Sequence, residues 1–131
     1  MTTLFTEGAF SGSIPTGFTF LHACKSASYT AGPGETAMVW VHASSGVPQN
    51  SGLGVRVGYS VNAAADATLG SWHYHKQAVA GTHNIANGQF GKLALVSGSV
   101  YIFSTAMIDS ESAAAYAATT GFCTTLVQIV R

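Results

Sequence analysis

Between Leu53 and Val61 the chain alternates without a break: Leu53, Val55, Val57, Tyr59 and Val61 are apolar or aromatic, and Gly54, Arg56, Gly58 and Ser60 between them are small or polar. Successive side chains of a β-strand point to opposite faces. A period of two over this length therefore predicts a strand with one face on a core and the other toward solvent or a partner. Few other local patterns restrict the backbone so tightly, and the rest of the chain has to supply the sheet that such a strand needs.

Other segments meet that need. Thr36 to Ala43 holds Met38, Val39, Trp40 and Val41 in nearly continuous apolar sequence and predicts a strand covered on both faces. Phe18, Phe20 and His22 alternate with Thr19, Leu21 and Ala23 in an earlier strand, and Leu69–His75, Lys92–Ser97, Ser99–Thr105 and Phe122–Val130 supply further ones. Turn signals lie between them: Gly32-Pro33-Gly34, Ser44-Ser45-Gly46, Asn50-Ser51-Gly52, Asn87-Gly88 and Ser97-Gly98-Ser99, with an Ala-rich connection from Asn62 to Thr68. Short strands punctuated in this way predict an all-β fold, an antiparallel β-sandwich of jelly-roll or immunoglobulin-like type. The expected core includes Val39, Val41, Val55, Val57, Leu95, Ile102, Leu126 and Ile129. From Asp109 to Ala118, Ser110, Glu111 and a run of alanines fit either a helical turn or two or a solvated loop.

At 131 residues the chain fits one domain. Residues 1–12, rich in Gly, Ser and Thr, are expected as an N-terminal arm or extended segment that docks through Phe5 and Phe10, with 13–131 forming the sandwich. Cys24 and Cys123 are the only thiols, and neither has a neighbouring cysteine. The first ten residues lack a basic stretch followed by an apolar one, so no secretory signal is expected and folding is placed in a cytoplasm. In a reducing compartment the expectation is two free buried cysteines, with a disulfide between the ends of the fold as the other possibility.

Charge decides which function classes stay open. Only 8% of residues are charged, against about 25% in an ordinary soluble chain, and the formal net charge is zero. Lys25, Arg56, Lys76, Lys92 and Arg131 are scattered singly, which disfavours nucleic acid as a partner. No apolar run approaches the roughly 20 residues of a membrane-spanning helix, so no membrane insertion is expected. A surface built from Ser, Thr, Gly, Ala and Asn is poorly repelled from copies of itself.

Candidate chemistry is sparse. Trp72, His73, Tyr74 and His75 form the one cluster, with the two imidazoles on one strand face and the two aromatic rings on the other. His73 and His75 could share a metal if His83 returned beside them. No supporting acid follows at the spacing of a metal motif, so neither a metal nor a cofactor is expected. Trp72 and Tyr74, with Trp40, could instead stack on sugar rings, and His73 and His75 could line the same site; packing inside the sandwich is the plainer role for the aromatic rings. There is no GxSxG elbow, no paired-carboxylate pattern and no phosphate loop, so no catalytic residue is named.

Two function classes remain. The first is a structural or assembly protein, most concretely a small virion component of the capsid-decorating or cementing type, assembled in a host cytoplasm. It would act as a symmetric homo-oligomer, a trimer by preference, with a capsid lattice protein as a further partner. Its expected interface is the small, nearly uncharged face of Gly54, Arg56, Gly58 and Ser60. The second is a sugar- or small-ligand-binding module using Trp72, Tyr74, His73 and His75.

Overall fold

The computed structural model describes residues 1–109 and 114–131, except for the side chains of Ser71 and Trp72. The strands are β1 (Thr2–Phe10), β2 (Ser13–Ile14), β3 (Leu21–Ala23), β4 (Tyr29–Thr30), β5 (Thr36–Pro48), β6 (Gly52–Val61), β7 (Ala67–Lys76), β8 (Thr82–Ala94), β9 (Val100–Ile108), β10 (Tyr116–Ala117) and β11 (Thr119–Val130). They form two main antiparallel sheets, β1-β11-β5-β8 and β3-β9-β6-β7, with β4 also on β9 and the short pair β10-β2 apart from both. The sheets pack into a single-domain β-sandwich, as the alternation and the turn spacing predict.

The core lies between the sheets. Leu53, Val55 and Val57 of β6, Val39 and Val41 of β5, and Val127 and Ile129 of β11 are all buried, with Phe103 and Met107 of β9 among them. Thr105 and Thr125 are buried as well, because their hydroxyls meet across the sheet interface at 2.8 Å and Thr105 also donates to the Thr124 carbonyl at 3.0 Å. Each hydroxyl thus replaces the water it loses.

Two expected core residues are corrected. Leu126 and Ile102 are only partly buried and face outward, because in β11 and β9 it is the odd-numbered neighbours Thr125, Val127, Tyr101 and Phe103 that turn inward. Similarly, Thr36 to Ala43 is covered on one face and not on both: Ala37, Val39, Val41 and Ala43 are buried while Trp40 and His42 are exposed. Two expected turns are strand interiors. Ser44-Ser45-Gly46 continues β5, where Gly46 leaves room for the Thr119 hydroxyl that any Cβ would strike. Asn87-Gly88 lies within β8, and there the Asn87 amide donates to the carbonyls of Leu53 and His73 at 3.0 and 2.9 Å. Long-range pairing overrides local turn preference at both places. The strand expected over Phe18 to Ala23 shrinks to Leu21–Ala23, since Gly17 and Phe18 form a turn.

Residues 1–12, expected as an arm or extended segment, contain β1, which runs in unbroken register with β11 from Thr2 opposite Ile129 to Phe10 opposite Gly121. Of the ambiguous stretch from Asp109 to Ala118, Ser110 and Glu111 fall outside the described residues, and Tyr116–Ala117 is strand. No helix long and apolar enough to cross a membrane occurs among the described residues.

The cysteines are not free. Cys24, just beyond β3, is bonded to Cys123 of β11, with Cα atoms 6.1 Å apart. The bond joins the two sheets across the core. The expectation of free thiols came from the assumed compartment, whereas the inward phase of β11 at Cys123 brings the two sulfurs within bonding reach.

Candidate functional site

Among the described side chains of the Trp72-to-His75 cluster, Tyr74 turns inward and His73 and His75 are exposed. Tyr74 lies partly buried over Gly52, where its hydroxyl and the Gly52 amide both donate to Asp109 Oδ1 at 3.2 Å. Tyr116 donates to the Gly52 carbonyl at 2.9 Å, and burial, reinforced by Asp109, raises its pKa. These contacts anchor the end of β9 to the start of β6. The role they support for Tyr74 is packing. His73 and His75 are exposed beside Val55 and Leu53 in the register, and His83 sits opposite Val47 on β8 with Nε2 3.0 Å from the Ala80 carbonyl. Among the described residues no group of three or more His, Cys, Asp or Glu side chains could hold a metal ion. The Trp72 side chain lies outside the described residues.

The small face of β6 is also occupied. Gly54, Gly58 and Ser60 are buried. His22 lies over Gly58 with Nδ1 3.0 Å from Ser104 Oγ, and a Cβ on Gly58 would collide with both side chains. Arg56 reaches Thr68 Oγ1 at 3.2 Å and places its guanidinium 5.6 Å from the centre of the Phe20 ring. The segment from Phe20 to His22 therefore covers Arg56 and Gly58, two of the four positions expected to be open for a second copy. It does so with this chain's own side chains.

This cover should loosen as pH falls. Burial holds the His22 pKa below its ordinary value, an effect that Asp66 opposes and Lys25 reinforces. The folded chain thus binds this proton less readily than the unfolded chain, so stability is fully present above about pH 6.5 and falls as pH drops through the lower folded value. Thermal melts from pH 7.5 to 5 should show a falling melting temperature for the native chain and a shallower fall for His22→Gln. Equal slopes would show that His22 does not carry the effect.

What remains open is the outer face of β1-β11-β5-β8. The registers place Phe5 opposite Leu126, Leu126 opposite Trp40, and Trp40 opposite Phe90, so these four side chains form one row across all four strands. Phe5 is 56% exposed, Phe90 42% and Trp40 37%, and the Trp40 and Phe90 rings meet at 5.0 Å with a tilt of 43°. Met38 lies one row away, and Phe122, 41% exposed, lies two rows away on the other side. Among the paired positions of this face the charged side chains are Glu7 on β1 and Lys92 on β8, at opposite edges, with His42 between them. Exposed apolar residues scattered singly are ordinary, whereas these form a contiguous row of three aromatic residues and one leucine on a sheet with little charge.

Sequence reasoning missed this row because its members are distant in the chain. The local signal was His42, a polar residue two positions from Trp40, which sets an outward phase for both. No protein-family model matches this chain, and no curated protein is similar to it in sequence.

Proposed function

We propose that this chain is a structural assembly protein, a small virion component of the capsid-decorating type. It would act as a homo-oligomer that buries the outer face of β1-β11-β5-β8 against neighbouring copies or the capsid lattice. The observation that carries this reading is the uncharged apolar row Phe5, Leu126, Trp40 and Phe90. Strand spacing and rise give this face about 19 Å by 30 Å, roughly 600 Å² in projection. A stable interface takes about 800 Å² of accessible surface from each partner, so the face is of the right order. Zero net charge leaves little long-range repulsion between copies.

The disulfide supports the same reading. Such bonds persist on virion surfaces and in other oxidising surroundings, and a particle that leaves its host takes Cys24 and Cys123 out of the reducing cytoplasm. Gly54, Gly58 and Ser60, the face expected to make the trimer contact, are buried within the chain, so the proposal keeps a homo-oligomer and moves its contact to the other sheet. The sugar-binding alternative, expected on Trp72, Tyr74, His73 and His75, has Tyr74 engaged with Asp109; Trp40 and Phe90 are an exposed aromatic pair in contact on the other sheet. Their 43° tilt gives no common stacking plane, so assembly is the better-supported reading.

Trp40→Glu tests it. A buried aromatic anchor is worth about 2 kcal/mol, so self-association measured by light scattering should weaken by about 30-fold. Fold stability should change by only about 1 kcal/mol, the scale of a cross-strand pair. An unchanged association constant would remove this face from the interface.

A further inference from the structure

We infer that two copies join edge to edge through β1, in antiparallel register with Phe5 opposite Phe5 of the second copy, so that the two β1-β11-β5-β8 sheets become one. This rests on the assembly reading and adds an edge contact to the face contact proposed there.

The free edges differ in kind. On the other sheet, β3 and β4 are too short to template a long partner. β7 is long, but its register with β6 shifts between Val55 and Val57, Gly70 is left-handed there, and Lys76 ends the strand. A broken register and an edge lysine both discourage strand addition. β8 is held toward the opposite sheet, where Asn87 donates to the carbonyls of Leu53 and His73. β1 is long, pairs with β11 on one side, and has no strand on its other side among the described residues. It has no proline, no lysine and no break in its register, so its unpaired backbone groups suit another strand.

The register follows from the side chains. A shift by one residue would set the outward face of one copy against the inward face of the other, so only registers joining odd to odd positions keep both faces intact. If Phe5 lies opposite Phe5, Glu7 lies opposite Thr3, a hydroxyl that can donate to the carboxylate. A shift one way puts Glu7 against Phe5, and a further shift puts the two Glu7 carboxylates against each other, which like-charge repulsion disfavours. With Phe5 on the two-fold axis the apolar row continues across both copies, doubling the face that the assembly reading uses.

Single-cysteine variants and backbone exchange test this on the full chain. Directly opposed cross-strand residues have Cβ atoms about 4.5–5.5 Å apart. Phe5→Cys should therefore form a dimer under mild oxidation, while Thr3→Cys and Glu7→Cys should cross-link to each other when mixed and not to themselves. Amide exchange in β1 of the unmodified chain should slow by about tenfold or more as concentration rises, since edge pairing protects outward-facing amides that face-to-face contact leaves open. An oligomer without β1 protection overturns the edge contact and leaves the assembly reading standing. Self-cross-linking of Thr3→Cys or Glu7→Cys in place of Phe5→Cys overturns the register. A chain that stays monomeric at every concentration overturns both the edge contact and the assembly reading.

Discussion

Val57→Asp should unfold most of the chain at temperatures where the native protein is intact. Val57 is fully buried in β6, paired with Leu69 on one side and Thr105 on the other, and β8 comes so close at Gly91 that a Cβ there would lie 3.3 Å from Val57 Cγ2. A carboxylate at this point has neither water nor a positive partner. The cost is several kcal/mol, out of roughly 5–15 kcal/mol available to a domain. A melting temperature at least about 10 °C lower is the expected result. Val96→Asp is the control: Val96 is 65% exposed, and a surface substitution there should stay within about 0.5 kcal/mol. Equal melting of native chain and Val57→Asp would mean that the strand phase is wrong.

The second large effect belongs to the disulfide. Cys24 and Cys123 are separated by 99 positions, so the bond closes nearly the whole chain and sharply limits the unfolded ensemble. Replacing both by Ser should cost about 2–5 kcal/mol, the usual range for a native bond that closes a long loop. Reductant should lower the melting temperature of the native chain toward that of the double variant and leave the variant itself unchanged. Two titratable thiols in the oxidised, denatured native chain would contradict the bond directly.

Much of this architecture is legible in the amino-acid sequence. The alternation from Leu53 to Val61 specifies both β6 and its inward phase, because leucine, valine and tyrosine recur at the period of a strand. Val39, Val41 and Ile129 follow the same logic. Failures occur where a local pattern has two physical solutions. The apolar run around Trp40 fits a strand buried on both faces or one that leaves an aromatic residue outside, and only the position of β5 in its sheet decides between them. Leu126 has the same ambiguity, since every residue from Phe122 to Val130 suits a strand and the phase is set by its partners.

The candidate surface is less legible than the fold. Its row joins positions 5, 40, 90 and 126, which come together only once the registers of four strands are known. By contrast, Trp72, His73, Tyr74 and His75 stand out by being adjacent in the chain. Adjacency in a strand sends neighbours to opposite faces, and Tyr74 turns to Asp109 while His73 and His75 stay in solvent. Small residues mislead for a related reason. Gly58 is small because His22 of the same chain lies on it, so the gap suggests an open interface where the fold has already filled it.

Hydroxyl-radical footprinting across a concentration series tests the central proposal most directly, because it reads the outer sheet face without altering it. Phe18, fully exposed and away from that face, supplies an internal reference. As the chain is concentrated, Phe5, Trp40, Phe90 and Phe122 should lose reactivity relative to Phe18, in step with a rise in solution mass. If those side chains react as readily in concentrated as in dilute protein while Phe18 is unchanged, the face is not buried between copies and the self-assembly proposal fails.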